Sequence, residues 1–160
     1  MAKEIERKFL VRGEVWREKA EGLSYRQGYL STEKERTVRV RTIDSKGFLT
    51  IKGINVGATR NEFEYDIPVE DANQMLDELC LKPIIEKKRY QIEHGGFIWE
   101  VDEFFGDNEG LILAEIELES ENQSFETPSW IAEEVTGDPR YFNSNLIAQP
   151  FSSWEKDGKP

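Results

Sequence analysis

Charged side chains recur at every second residue in several segments of this chain. Glu4, Glu6 and Lys8 stand at alternate positions near the N-terminus, and Arg39 and Arg41 do so further along. The other such rows are Glu62 with Glu64, Lys87 with Arg89, and Glu115 with Glu117 and Glu119. Carboxylates two residues apart on a strand start about 6.6–6.8 Å apart, so both can reach one hard divalent cation, while arginine and lysine bind phosphoryl oxygens. These residue types therefore indicate metal-assisted chemistry on a phosphorylated anion.

A solvated surface would explain any single row, because antiparallel strands usually turn their charged face to water. The separation of the rows by sign is not explained in that way. Arg39 and Arg41 share a face with no acidic residue on their own strand, and the row from Glu115 to Glu119 is the reverse case. Rows that repel themselves indicate a ligand of the missing charge.

The composition limits the classes of function. The chain has 160 residues, which fits one domain, and its net charge of −11 disfavours a nucleic-acid partner. It contains no apolar run long enough to span a membrane. The single histidine, His94, disfavours histidine-rich zinc sites and serine hydrolase triads. The lone Cys80, with no apolar signal core near the N-terminus, indicates a cytoplasmic protein.

Alternation of polar and apolar residues predicts about eight strands, at residues 3–12, 23–31, 36–43, 47–54, 61–68, 84–93, 97–104 and 111–119. Helical spacing and proline positions predict helices at residues 14–20, 69–80, 128–134 and 140–149. Eight antiparallel strands suffice to close a barrel, which would gather the charged rows around one lumen. We therefore expect an α+β fold, an eight-stranded antiparallel closed β-barrel with helices packed outside. The expected domain covers residues 1–150, and residues 151–160 form a polar tail.

The order of the charged motifs resembles that of the CYTH family, the triphosphate tunnel metalloenzymes. Glu4-Ile5-Glu6-Arg7-Lys8 is similar to the family's first-strand signature, Glu-x-Glu-x-Lys. The motifs that follow are Arg26-Gln27-Gly28-Tyr29-Leu30, Val38-Arg39-Val40-Arg41, Leu49-Thr50-Ile51-Lys52-Gly53, Arg60-Asn61-Glu62-Phe63-Glu64-Tyr65, Glu86-Lys87-Lys88-Arg89-Tyr90, Glu100-Val101-Asp102 and Glu115-Ile116-Glu117. The resemblance covers about residues 3–149 and implies a C-terminal helix that plugs the tunnel.

The resemblance also implies roles for individual residues. The metal ligands for Mg²⁺ or Mn²⁺ would be Glu4, Glu6, Asp102, Glu115 and Glu117. The triphosphate would be bound by Lys8, Arg39, Arg41, Lys52, Lys87 and Arg89. Glu62 and Glu64 would lie in the tunnel, where they help a second metal or orient the basic residues. The catalytic group would be Glu4, Glu6, Lys8, Lys87 and Tyr29, with Tyr29 interacting with Lys87.

The roles of Glu100 and of the C-terminal helix have alternatives. Glu100 fits a tunnel position and a salt bridge to Lys87 or Arg89 equally well. Some family members carry lysines in the plug helix, whereas Asn143-Ser144-Asn145 supplies none.

Three functions are compatible with these features. The first is hydrolysis of inorganic triphosphate to pyrophosphate and phosphate, with weaker activity on nucleoside triphosphates. The second is a class IV type adenylate cyclase, because the family includes such enzymes. The third is a noncatalytic polyphosphate-binding module, which needs the basic rows but not every carboxylate. The expected partner is a small-molecule triphosphate, with no nucleic acid and no membrane, and a homodimer is expected because small dimers are common.

Overall fold

A computed structural model describes residues 3–154 of the chain. The strands are β1 (Lys3–Val11), β2 (Gly22–Ser31), β3 (Thr37–Ile43), β4 (Lys46–Lys52), β5 (Thr59–Ile67), β6 (Ile85–His94), β7 (Phe97–Phe104), β8 (Ile112–Glu117) and β9 (Ile131–Glu134). The α-helices are α1 (Val69–Glu78) and α2 (Asn145–Ala148), and 3-10 turns lie at Val15–Glu18, Gly106–Asn108, Pro139–Tyr141 and Phe151–Ser153. No helix within residues 3–154 is long and apolar enough to cross a membrane.

The strands close into the expected eight-stranded antiparallel β-barrel. Their order is β5-β4-β3-β2-β6-β7-β8-β1, and the β1–β5 pairing closes the ring. β1 forms this closure by changing partners along its length: Lys3 to Ile5 pair with β5, while Glu6 to Leu10 pair with β8. The period-two pattern thus predicted the eight barrel strands and the barrel correctly.

The predicted helix at residues 128–134 is wrong. The chain makes a turn there, in which the Ile131 amide donates to the Pro128 carbonyl at 3.1 Å, and then forms β9. β9 pairs with the far end of β1, matching Glu134 to Phe9 and Ile131 to Val11. β5 pairs only with the beginning of β1, at Lys3 to Ile5. β9 therefore supplies hydrogen-bond partners to backbone groups at the end of β1 that would otherwise lack a strand partner.

Helix α1 packs on the outer face of β2, β3 and β4, where Val40, Ala72, Leu76 and Cys80 form one apolar cluster. The helix approaches closely because two positions beneath it carry no side chain. A Cβ on Gly28 would lie 2.9 Å from the Cβ of Cys80, and one on Gly47 would lie 2.8 Å from the Cβ of Ala72. Both contacts are shorter than real carbon contacts allow, so these glycines set the distance between helix and barrel.

The C-terminal region covers another part of the barrel. The predicted helix at 140–149 is divided into the turn at Pro139–Tyr141 and the short helix α2. Tyr141, Leu146 and Phe151 are buried there with Phe104 and Leu113, and Trp154 packs against them. The packed domain therefore extends beyond residue 150 to Trp154, and residues 155–160 of the predicted tail lie outside the described part of the chain.

Candidate active site

The charged rows surround one cavity of about 250 Å³ inside the barrel. All of the predicted triphosphate-binding cations line it: Lys8, Arg39, Arg41, Lys52, Lys87 and Arg89. So do Tyr29 and the carboxylates Glu4, Glu6, Glu62, Glu64, Glu100, Glu115 and Glu117. Strand alternation thus brings residues from all eight strands of the barrel into one site. Asp102 is the one predicted site residue that is absent from this wall.

Arg39 and Arg41 are buried side by side on β3 and share one acidic partner. Glu64 Oε2 accepts from Arg39 Nη2 and Arg41 Nη2, both at 3.4 Å, and from Thr50 Oγ1 at 2.9 Å. The buried Nε atoms of both arginines have no hydrogen-bond partner within residues 3–154. Burial, with the nearby Arg39 and Arg89 charges, lowers the pKa of Arg41 to about 10. One carboxylate for two guanidinium groups leaves donors free for an oxyanion.

Lys52 joins two carboxylates from neighbouring strands. Its Nζ lies 3.2 Å from Glu4 Oε1 and 3.3 Å from Glu62 Oε2. Burial raises the pKa of Glu4, but the Lys52 charge together with hydrogen bonds to Glu62 and Lys52 more than offsets it, so the net pKa is lowered. Burial raises the pKa of Glu62, and the Glu4 charge adds to that effect. Lys52 is therefore shared between acidic side chains of β1 and β5.

Asp102 lies behind the cations rather than on the cavity wall. Its side chain is about 1% exposed and accepts from Arg89 Nε at 2.7 Å and Arg89 Nη2 at 2.9 Å, while Lys87 Nζ lies 2.8 Å away. Although burial raises the pKa of Asp102, Arg89 and then Lys87 more than offset it, and the pKa is lowered. This geometry favours Asp102 as a residue that positions two cations, and its predicted role as a metal ligand stays a prediction.

Lys87 has partners other than Tyr29. Its Nζ donates to Asn143 Oδ1 at 2.9 Å in addition to its contact with Asp102. Burial, reinforced by Arg89 and opposed by Asp102, lowers the pKa of Lys87 to about 7. Tyr29 lines the cavity beside Gln27, whose Nε2 is 3.5 Å from the tyrosine Oη. The interaction of Tyr29 with Lys87 that the resemblance implies stays a prediction, and the Lys87 ammonium group bonds to Asn143 in this structure.

Glu100 combines the roles that its sequence position allowed. It lines the cavity, and its Oε1 lies 3.3 Å from Arg89 Nη1. Arg89 is therefore contacted by Glu100 as well as Asp102, which restricts the directions in which its guanidinium can point.

The remaining carboxylates form the candidate metal centre. In register, Glu6 of β1 stands opposite Glu117 of β8, and Lys8 stands opposite Glu115. Burial, Glu115 and Glu4 together raise the pKa of Glu6 well above its usual value. Burial also acts on Glu115, but the hydrogen bond with Glu6 and the charges of Lys8 and Arg89 hold its pKa well below the usual range. Without a cation, Glu6 therefore holds a proton more readily than Glu115 does.

This donor set suits a hard divalent cation, because it consists of carboxylate oxygens and contains no thiolate or imidazole. Buried carboxylates that lie close together repel each other, and a bound cation would offset that repulsion. Burial and the charges of Glu4 and Glu62 also raise the pKa of Glu117. Within residues 3–154, no three acidic, thiol or imidazole side chains already converge as a finished metal site. The chemistry of these carboxylates nevertheless fits the ion.

Sequence reasoning missed Tyr25, whose ring contacts several of the cations that line the cavity. Its buried ring lies 5.0 Å from Arg41 Cζ, 5.1 Å from Arg89 Cζ and 6.0 Å from Lys87 Nζ. The electron-rich ring face attracts cations that repel each other. The signal was present in the alternation of β2, because Tyr25 shares a face with Gln27 and Tyr29.

We expect Tyr25→Leu to impair triphosphate binding by releasing these cations from their common support. The Michaelis constant for triphosphate should rise about tenfold, which corresponds to about 1.4 kcal/mol. Tyr25→Phe keeps the ring and should stay within about threefold of the wild type. Steady-state phosphate release measures both variants, and equal losses in the two would contradict a role for the ring face.

Comparisons with known proteins agree with this geometry. The model of the CYTH domain family matches residues 2–149 of the chain. A curated inorganic triphosphatase from Acetivibrio thermocellus is 54% identical over 156 residues, which cover 98% of this chain and 100% of that protein. An inorganic triphosphatase from Nitrosomonas europaea is 38% identical over 151 residues, covering 89% and 95% of the respective chains. A crystal structure of an inorganic triphosphatase has a TM-score of 0.61 and 34% identity, covering 89% of this chain and 96% of that chain.

Proposed function

This chain belongs to the CYTH domain family, and from that membership we propose that it is an inorganic triphosphatase that works inside its barrel. The reaction is metal-dependent hydrolysis of triphosphate to pyrophosphate and phosphate. The observation that carries the proposal is one cavity wall that holds both the basic rows and the Glu4, Glu6, Glu115 and Glu117 carboxylates. The two triphosphatase relatives, which match nearly the whole chain, support the same activity.

The basic wall binds the substrate by charge and by fork geometry. Arg39 and Arg41 share the single carboxylate of Glu64, so phosphoryl oxygens can accept from the other donors of their guanidinium groups. Lys8 approaches from β1, opposite Glu115 in register. Charge spreads over the phosphoryl oxygens in the transition state, and fixed cations that need no reorganisation stabilise it there.

The carboxylates supply the acidic half of the site. Glu4, Glu6, Glu115 and Glu117 would hold the divalent cation, with Glu62 as a further candidate at a second ion and Glu64 as a residue that orients Arg39 and Arg41. When bound, the ion supplies charge neutralisation at phosphoryl oxygens and activation of the attacking water. The water oxygen bonds to a terminal phosphorus, the bond from that phosphorus to the bridging oxygen breaks, and pyrophosphate leaves.

The proposal also covers the identity of the ion, the partner, the location and the assembly. Carboxylate-only donors favour Mg²⁺ or Mn²⁺ as the ion. The acidic net charge of −11 supports a small anion bound in a local basic cavity rather than a nucleic acid. The lone cysteine, Cys80, supports a reducing location such as the cytoplasm. A homodimer remains the proposed assembly.

A substrate panel tests the proposed function directly. Phosphate release is measured with inorganic triphosphate, ATP and thiamine triphosphate, each with Mg²⁺, with Mn²⁺ and with a chelator. We expect triphosphate to be hydrolysed faster than ATP, and hydrolysis to stop in the chelator. Formation of cyclic AMP from ATP would support the cyclase instead, and no release from any triphosphate by folded protein would refute the hydrolase.

A further inference from the structure

Residues 135–143, here called the strap, run from the end of β9 across the cavity. The strap first replaces a missing strand partner for β1. The Val135 amide donates to the Lys8 carbonyl at 2.8 Å, and the Lys8 amide donates to Thr136 Oγ1 at 2.9 Å. Thr136 Oγ1 also donates to Glu134 Oε2 at 2.6 Å, which fixes its hydroxyl. Both backbone polar groups of Lys8 are therefore bonded to the strap.

The same strap contacts the charged end of Lys8. Lys8 Nζ donates to the Tyr141 carbonyl at 3.0 Å. Tyr141 is about 2% exposed and packs in the apolar cluster with Leu146 and Phe151, so its carbonyl has a fixed place. The strap thus holds Lys8 at two points: Thr136 bonds to its backbone, and Tyr141 bonds to its ammonium group.

Asn143, at the end of the strap, makes a bridge to the opposite side of the barrel. Its Oδ1 accepts from Lys87 Nζ at 2.9 Å and from Gln27 Nε2 at 2.8 Å. Gln27 is fully buried on β2, and Lys87 lies on β6. One amide oxygen therefore connects the strap to two strands of the barrel.

The geometry leaves Lys87 with a defined free direction. An ammonium group has three N–H donors. Asp102 Oδ2 at 2.8 Å takes one, and Asn143 Oδ1 at 2.9 Å takes another. The third is available for a ligand, and its direction is determined by the other two bonds. Without Asn143, the ammonium group could turn about its contact with Asp102.

We propose that Asn143 is a positioning residue, which aims the Lys87 ammonium group at the phosphoryl group through its bridge to Gln27. The proposal rests on the proposed function, since it assigns Lys87 to triphosphate. It adds that the strap determines the approach of both lysines, with Thr136 and Tyr141 acting on Lys8 and Asn143 acting on Lys87. The strap thus serves as part of the substrate site although its cation, Arg140, pairs with Asp138 and does not line the cavity.

The test uses the effect of Asn143→Leu in two backgrounds. Leucine has a similar shape but no acceptor, so the variant should lower kcat/KM for triphosphate roughly 10- to 100-fold, as small misplacements of reacting groups do. Combined with Lys87→Met, the same change should cost less than about twofold, because no ammonium group remains to be aimed. Equal losses in both backgrounds would show that Asn143 acts only on the structure of the strap, and would overturn the proposal.

A matched control is Asn145→Leu. Asn145 lies just beyond the strap and donates from Nδ2 to the Pro139 carbonyl at 2.6 Å, so its loss loosens the same region without touching Lys87. This control should stay within about threefold of the wild type, and a loss as large as that of Asn143→Leu would count against the proposal. If Asn143→Leu lowers the thermal midpoint well below that of the control, Asn143→Ala replaces it.

Triphosphate affinity of the metal-free proteins, measured by calorimetry, gives a second readout that does not need turnover. Asn143→Leu should weaken binding at least threefold with Lys87 present and not with Lys87→Met. Unchanged or tighter binding with Lys87 present would overturn the positioning role. If the wild type binds triphosphate but does not hydrolyse it, the proposed function fails, while these binding data still decide the role of Asn143.

Discussion

Replacing Glu4 and Glu6 together by glutamine should abolish triphosphate hydrolysis while leaving triphosphate bound. Both side chains line the cavity, and the charges of Glu115 and Glu4 help to raise the pKa of Glu6, a repulsion that a bound cation would offset. Loss of fixed electrostatic stabilisation at a reacting centre commonly costs 10²- to 10³-fold for one group, so we expect a loss on the order of 10³-fold in kcat. Phosphate release at saturating Mn²⁺ measures turnover, and calorimetry on metal-free protein measures triphosphate affinity.

The affinity measurement distinguishes loss of catalysis from loss of triphosphate binding. The basic side chains remain in the double variant, and two negative charges near the anion are gone, so affinity for triphosphate in the absence of metal should not fall. Glu35→Gln with Glu70→Gln is the matched control, because both residues are exposed and the change in net charge is the same. Turnover that persists in the Glu4 and Glu6 variant would refute the assignment of the metal site.

Asp102→Asn should strongly destabilise the metal-free protein. Asparagine keeps the shape of the side chain but removes the charge that Arg89 and Lys87 contact at 2.7–2.9 Å in a site only 1% exposed. Removing one partner of a buried ion pair leaves uncompensated charge and typically costs about 3–5 kcal/mol. Urea unfolding of wild type and variant at pH 7 measures the difference in free energy of unfolding.

The pH dependence of this contribution has a defined sign. The folded-state pKa of Asp102 is lowered, mainly because Arg89 and Lys87 outweigh its burial. Its stabilisation is therefore present above the unfolded pKa of about 3.9 and is lost as the pH falls through the folded value. The wild type and Asp102→Asn should become more similar in stability as the medium is acidified through that range.

Asp138→Asn provides the control for Asp102. Its carboxylate contacts Arg140 at 3.0 Å near the surface, where an ion pair contributes about 0–1 kcal/mol. The comparison also decides between the two roles of Asp102. A residue that served only as a metal ligand would leave the metal-free protein equally stable or more stable when neutralised, and that result would contradict the positioning role.

The sequence by itself determined which side chains face the lumen. Alternation along a strand is a local property of the backbone, so Glu4, Glu6 and Lys8 had to share one face wherever β1 was placed. The same rule placed Arg39 with Arg41, and the opposed signs of such rows indicated an anion and a cation bound together. The rule also held for Tyr25, which became visible only once the neighbours of β2 were known.

The tertiary structure decided which of these charges meet. Pairing depends on register and on barrel closure, which join residues far apart in the chain, as in the contacts of Glu64 with Arg39 and Arg41. It placed Asp102 behind Arg89 and Lys87 although its alternation matched that of Glu100 on the wall. The tertiary structure also decided that residues 131–134 form strand β9, where proline and helical spacing predicted a helix. Unpaired backbone groups on β1 favour a strand there, and they lie far from this segment in the sequence. Asn143 gained its place beside Lys87 in the same way, through the path of the chain after β9 rather than through any motif of its own.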